Sequence, residues 1–267
     1  MDAIRSILAP NPSAMTLDGT RTYIVGRERP VVIDPGPDEP NHLRAILGAL
    51  GGAAPAAILL THSHADHTAA APALAQATRA PMLIGRGAFG GDSADLVSRW
   101  LEEGDEIETD AGTLTVIHTP GHATEHMAFH HAESGAVFVG DTLMGGLDTT
   151  LVAPPEGDLA AYLRSLERIA ALAPSVLYPA HGPPIEDAAE AIARYRRHRE
   201  ERIAQVVRAL RAGGPARTGE LIDAVYGPEL DPRLRAAAEG SLRAILGYLA
   251  AEGLAHMLPD GRHHLAD

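Results

Sequence analysis

The stretch from Thr61 to His67 packs three imidazoles and one carboxylate into six positions, as His62-x-His64-x-Asp66-His67. It follows a short apolar run, 56–60, that reads as a buried strand, and it opens an Ala-rich helical pattern over 66–78. A strand-to-helix turn can aim alternate side chains in one direction, while the first helical turn fixes the others. The chain has no cysteine, which excludes disulfides, thiolate ligands and a Cys nucleophile. A divalent-metal site here must therefore be built from His, Asp and Glu, and this run supplies both donor types.

Three more ligand-type residues each follow an expected strand. His118-Thr-Pro-Gly-His122 ends the run 114–117, Gly140-Asp141-Thr142 ends 137–139, and Pro179-Ala-His181-Gly182 ends 176–178. Open α/β sheets place their sites at the carboxyl ends of strands, so four such ends in succession point to one shared centre. His126, four residues past His122, is a further candidate for that centre, or else an edge-strand histidine.

The rest of the pattern is an alternation of strands and helices. Runs at 22–25 and 31–33 are split by Arg27-Glu-Arg-Pro, a hairpin turn, and 41–50 has helical spacing closed by Gly51-Gly52. A strand is expected at 82–84 and two strands around Asp110-Ala-Gly within 107–118. A pair at 127–129 and 136–139 and an amphipathic helix over 159–172 complete this part. The character changes near 186. A long helix over 186–211 stops at Gly213-Gly-Pro, a short one over 218–225 has Thr218 as its N-cap, and a third starts at Asp231-Pro232 and runs to about 250. Two short apolar pieces around Pro259-Asp-Gly finish the chain. Three helices and a small hairpin are the order of a winged helix. The chain is therefore divided into a metal-site domain, 1–187, and a helical winged-helix-like domain, 188–267.

Bulk properties narrow the partners. No apolar run approaches the roughly 18–20 residues needed to span a bilayer, so no membrane partner is expected. Residues 1–16 make a poor export signal, which leaves the cytoplasm as the expected location. The net charge of −13 would slow the approach of a polyanion. It is uneven, however: residues 1–187 carry 10 Arg against 24 acids, and 188–267 carry 12 Arg against 11. Eight Arg and two Glu fall within 191–217, either a phosphate-binding track or simply an Arg-rich solvated helix face in a chain without Lys.

The order His-x-His-x-Asp-His, then His122, Asp141 and His181 resembles the metallo-β-lactamase superfamily. The resemblance is closest to the β-lactamase-like protein 2 family. Its further marks are Gly140-Asp-Thr-Leu-Met-Gly-Gly, Pro154-Pro-Glu-Gly-Asp-Leu, Pro179-Ala-His-Gly-Pro-Pro-Ile and Tyr195-Arg-Arg-His-Arg-Glu-Glu-Arg-Ile. It implies a four-layer αβ/βα sandwich with metals along one edge. It also implies two Zn2+ per chain, with iron or manganese as alternatives. His62, His64 and His122 would hold the first metal, Asp66, His67 and His181 the second, and Asp141 would bridge them. Asp34 and His118 would support the ligands, and Asp66 would also orient the nucleophile. Two metals about 3.5–4 Å apart can acidify a shared water for attack on a carbonyl or phosphoryl centre.

Asp141 sets the chain apart from the true zinc β-lactamases, which resemblance associates with Cys or Ser there. The branch it resembles holds glyoxalase II, lactonases and nucleases. Three readings follow. The first is a hydrolase of a small-molecule ester, thioester or lactone. The second is an endoribonuclease acting on single-stranded RNA, the activity of an animal member of the family. The third is a non-catalytic protein binding DNA or a partner through its winged helix. The wing, around Pro259-Asp-Gly, could instead serve a homodimer contact.

Overall fold

The computed structural model describes residues 3–89 and 91–266. Its first half builds a six-stranded sheet from β1 (Ile4–Leu8), β2 (Arg21–Val25), β3 (Val31–Ile33), β4 (Ala57–Leu59), β5 (Met82–Gly85) and β6 (Arg99–Leu101), adjacent in that order. β1 to β3 are antiparallel and β3 to β6 parallel. Parallel neighbours need crossover connections, which here carry α1 (Pro40–Leu50), then α2 (Ala65–Thr68) and α3 (Ala71–Thr78).

A second, five-stranded sheet follows from β7 (Glu106–Thr109), β8 (Gly112–His118), β9 (Met127–His131), β10 (Ala136–Gly140) and β11 (Val176–Pro179). Its pairs are antiparallel except β10 with β11, which are joined through α4 (Leu159–Ala171).

The alternation of side chains along each strand sorts the apolar residues into layers. Tyr23, Val25, Val31, Ile33 and Leu59 face Leu114, Val116, Phe129 and Phe138 between the sheets. Their neighbours Ile24, Val32, Ile58 and Ile84 face outward onto Ile46 and Leu50 of α1 and Leu74 of α3. On the other side Val137, Val139 and Leu177 pack against Leu166 and Ile169 of α4. Strands covered on both faces read as continuous apolar runs, which explains why β3, β4 and β10 are plain in the sequence. The result is helix, sheet, sheet, helix.

The C-terminal elements are α5 (Ala188–Gly213), α6 (Ile222–Tyr226), α7 (Arg235–Ala251), β12 (Ala255–Met257) and β13 (His263–Leu265). Val206 and Leu210 of α5 and Leu242, Leu246 and Leu249 of α7 share one apolar cluster with α4 and the second sheet. Among the described residues no helix is long and apolar enough to cross a membrane.

The structure departs from the sequence reading in places. The pattern over 66–78 is two helices, because Pro72, in the first turn of α3, cannot donate to the helix before it. Arg217, not Thr218, is the N-cap of the turn that follows α5, and the Glu220 carboxylate accepts its N–H at 2.7 Å. Residues 218–221 and 232–234 are 3-10 turns, so α6 and α7 start later than the pattern suggests. Edge strands β1 and β6 were not expected.

Leu246 is fully buried in the shared cluster. Leu246→Ala is expected to cost about 2–5 kcal/mol, read by urea unfolding. Far-UV and near-UV signals should fall together. A separate early loss of helix would show that the C-terminal elements unfold alone.

Candidate metal centre

Four loops bring the charged and imidazole groups to one edge of the two sheets. Residues 61–67 leave β4, 118–126 leave β8, 140–145 leave β10 and 180–182 leave β11. Gly140 has φ +48°, and a Cβ there would lie 2.6 Å from His126 Nε2 and 2.8 Å from Thr61 Oγ1. Only glycine lets this strand end approach the His-rich loop so closely.

Asp34 aims the loop. Its Oδ1 accepts the Thr61 backbone N–H at 2.8 Å, and its Oδ2 accepts the Thr61 hydroxyl at 2.7 Å. The same Oδ2 takes His67 Nδ1–H at 2.9 Å. Thr61 Oγ1 in turn receives His62 Nδ1 at 3.0 Å. A histidine's free nitrogen is set by what its other nitrogen bonds, so these contacts turn Nε2 of His62 and His67 inward. The remaining rings follow the same rule. His122 Nδ1 donates to Leu151 O at 2.7 Å, His181 Nδ1 to Gly19 O at 3.1 Å, and His64 Nε2 to Glu156 Oε2 at 3.0 Å.

The inward nitrogens form two groups. His64 Nδ1 lies 2.9 Å from His62 Nε2 and 3.1 Å from His122 Nε2. Asp66 Oδ2 lies 3.3 Å from His181 Nε2 and 3.7 Å from His67 Nε2. Asp141 sits between the groups. Its Oδ1 is 3.4 Å from His67 Nε2 and 3.3 Å from His181 Nε2, and its Oδ2 is 3.6 Å from His122 Nε2. His67 Nε2 and Asp141 Oδ1 are buried without a hydrogen-bond partner.

This donor set fits divalent cations. Inward lone pairs at about 3 Å repel unless a positive charge lies among them, and orphaned buried acceptors ask for the same. The buried carboxylates also make the pocket attractive to positive charge. Burial alone would lower His67, but the Asp141 and Asp34 carboxylates outweigh it and hold the ring well above its usual range. Burial would raise Asp141, but His67 and His181 keep it well below. His62, by contrast, is pushed well below by burial and by the His67 and His122 imidazoles beside it. The triads His62, His64, His122; His62, His67, Asp141; and Asp66, His67, His181 each offer ligand atoms close enough to hold one ion.

All seven residues named from the motif therefore meet in one place. Asp34 lies directly behind them, whereas His118 bonds Thr124 O at 3.0 Å and stays in its own turn. His126 is buried against the face of His62. Both its nitrogens are engaged, Nδ1 with Thr119 Oγ1 at 2.8 Å and Nε2 accepting Asp141 N–H at 3.2 Å, so it braces the site. Two residues escaped the sequence reading. Glu125 accepts Ser63 N–H at 3.0 Å, and Glu156 reaches His64. Both act across long sequence separations. The local signals were the adjacency of Glu125 to His126 and His122, and the place of Glu156 in Pro154-Pro-Glu-Gly-Asp-Leu, neither of which names a partner.

The metallo-β-lactamase superfamily model matches residues 15–181. A lactamase-like protein of Aspergillus niger is 35% identical over 85% of this chain and 74% of its own length. An atrochrysone carboxyl ACP thioesterase of Aspergillus fumigatus is 34% identical over 83% and 72%. A β-lactamase-like protein 2 homolog of Caenorhabditis elegans is 28% identical over 95% and 86%. Among solved structures, a β-lactamase domain protein of Burkholderia ambifaria superposes with TM-score 0.83 at 25% identity, covering 99% of this chain and 91% of that one. With the donor cluster on the sheet edge and the family match across most of the chain, this protein belongs to the metallo-β-lactamase superfamily and is a hydrolase of that fold.

Proposed function

We propose that the protein is a dinuclear-metal hydrolase, with zinc as the metal, acting on a small-molecule thioester or related ester. The observation that carries this reading is the orientation of the five imidazoles. Each is tied to the protein through its outer nitrogen, and the inner nitrogens converge with Asp66 and Asp141. His62, His64 and His122 would hold one ion, and Asp66, His67 and His181 the other, with Asp141 shared. Bound there, the ions supply Lewis acidity toward a carbonyl oxygen and toward an attacking water.

The chain's own groups do the positioning. Asp66 meets His67 and His181 through Oδ2, which leaves its other oxygen to accept a hydrogen bond from the attacking water. His64, Asp66, His122, Asp141 and His181 open into a cavity of about 230 Å3 that Met15, Met144 and Leu151 also line, so the reacting bond sits beside apolar walls. The thioesterase among the relatives supports a thioester over a lactone.

Residues 188–267 serve here as a winged-helix-like unit that braces the centre. Tyr195 of α5 accepts Met144 N–H at 2.8 Å and donates to Met144 O at 2.9 Å, clamping the loop that carries Asp141. An RNA substrate would need a free cationic track. Arg194, Arg196 and Arg197 instead pair with Asp148, Glu167, Glu200 and Glu190.

Metal analysis of the purified protein is expected to find two ions per chain. Chelation should abolish hydrolysis of acyl thioesters, and added Zn2+ should restore it. Cleavage of unstructured RNA with no thioester turnover would replace this reading. Asp34→Asn keeps the size of the side chain but removes an acceptor from Thr61 and His67. It is expected to weaken metal binding about 10–100-fold, measured by chelator competition.

A further inference from the structure

A second cavity, of about 310 Å3, lies against the metal centre. The two share Met15, Met144, Thr150 and Leu151 as a common wall. Beyond that wall most of its lining comes from the helices that follow the matched family region, including His198 of α5, Tyr226 at the end of α6, and Ala237, Ala238, Ser241 and Ile245 of α7.

The lining is mostly carbon. Two arginines border it, Arg199 and Arg202, but their charged heads are committed to the walls. Arg199 donates to Thr150 O and lies over the Tyr162 ring, and Arg202 donates to Val225 O at 2.9 Å and lies over the Tyr226 ring. Each lays its aliphatic stem along the cavity, and Arg199 Nε is buried without a hydrogen-bond partner. The rim is apolar too. Met15, Leu147 and Leu234 are 47%, 36% and 40% exposed, and all three border this cavity. Large exposed apolar side chains gathered at the mouth of a cavity mark a place where apolar matter enters.

The geometry points to this cavity as the acyl pocket of the hydrolase, taking a bulky hydrophobic acyl group whose carbonyl lies at the metal centre. The inference rests on the thioester reading above and specifies its substrate class. An acetyl group would leave the cavity empty, whereas a volume near 300 Å3 suits the body of a drug-sized or medium-chain group. Selectivity for the acyl group then resides in α6 and α7.

The test uses the full, metal-loaded chain and two matched series running from acetyl to decanoyl length: acyl thioesters of N-acetylcysteamine and the non-hydrolysable thioethers. Affinity for the thioethers, by calorimetry, is expected to rise about four-fold per added methylene until the pocket is full, and kcat/KM for the thioesters should follow. Ser241→Trp fills the pocket and should flatten both series, and Ala237→Trp repeats the test from the next turn. If thioether affinity is flat in wild type, or if both Trp variants fold and keep the wild-type slope, the acyl pocket is overturned. A steep thioether series abolished by Trp, with no thioester turned over, keeps the pocket and instead removes the thioester reaction.

Discussion

The buried carboxylate of Asp34 is the tie on which the edge of this molecule depends. It lies at the end of β3 with φ +47°, a left-handed conformation that a short polar residue tolerates better than most. From there it holds Thr61, the second residue after β4, and the ring of His67 in α2. Its own carbonyl accepts the Thr22 hydroxyl at 2.8 Å, which ties in β2 as well. One side chain thus sets the departure angle of the loop, the tautomer of His67 and, through Thr61, the tautomer of His62. Leaving this carboxylate unpaired in the interior would be costly, so its three donors are as fixed as it is.

The opposite side of the centre is held from α4 and α5. Tyr162 of α4 donates to Thr142 O at 2.8 Å, and Tyr195 and Arg199 of α5 hold Met144 and Thr150. The loop after β10 is therefore anchored at Thr142, Met144 and Thr150. Its position follows from the packing of two helices on the second sheet. That packing is apolar and continuous, so the helices after residue 187 contribute to the centre without supplying any of its donors.

How much of this could be read from the chain depends on range. The donors were legible because they sit in short motifs at strand ends, and the strands themselves because burial on both faces leaves unbroken apolar runs such as Val31-Val-Ile33. Asp34 was legible through its Pro-Gly turn. The role of Glu156, inside the Pro154-Pro-Glu-Gly-Asp-Leu mark, was not, because it meets His64 across 92 positions from a loop with no periodicity. Nor was the role of His126, whose spacing from His122 suggested the site but whose two nitrogens are taken up by Thr119 and Asp141. The division between α2 and α3 was hidden because alanine-rich sequence carries a helical pattern through a proline. The second cavity had no sequence signal, since its walls come from residues as far apart as Met15 and Ile245.

The ring of His181 is oriented by the carbonyl of Gly19, 162 positions earlier in the chain. Nearby, Arg21 N–H donates to Ala180 O and the Tyr23 hydroxyl to Pro179 O, each at 2.7 Å, so β2 of the first sheet is tied here to the end of β11, an edge strand of the second. Contacts of such range carry the entropy cost of closing a long loop. The cluster at 62–67 gathers its donors within β4, its loop and α2, but the His181 nitrogen joins them only where β11 meets the start of β2. The centre is thus a record of completed folding: an incomplete or misregistered chain holds only part of the donor set.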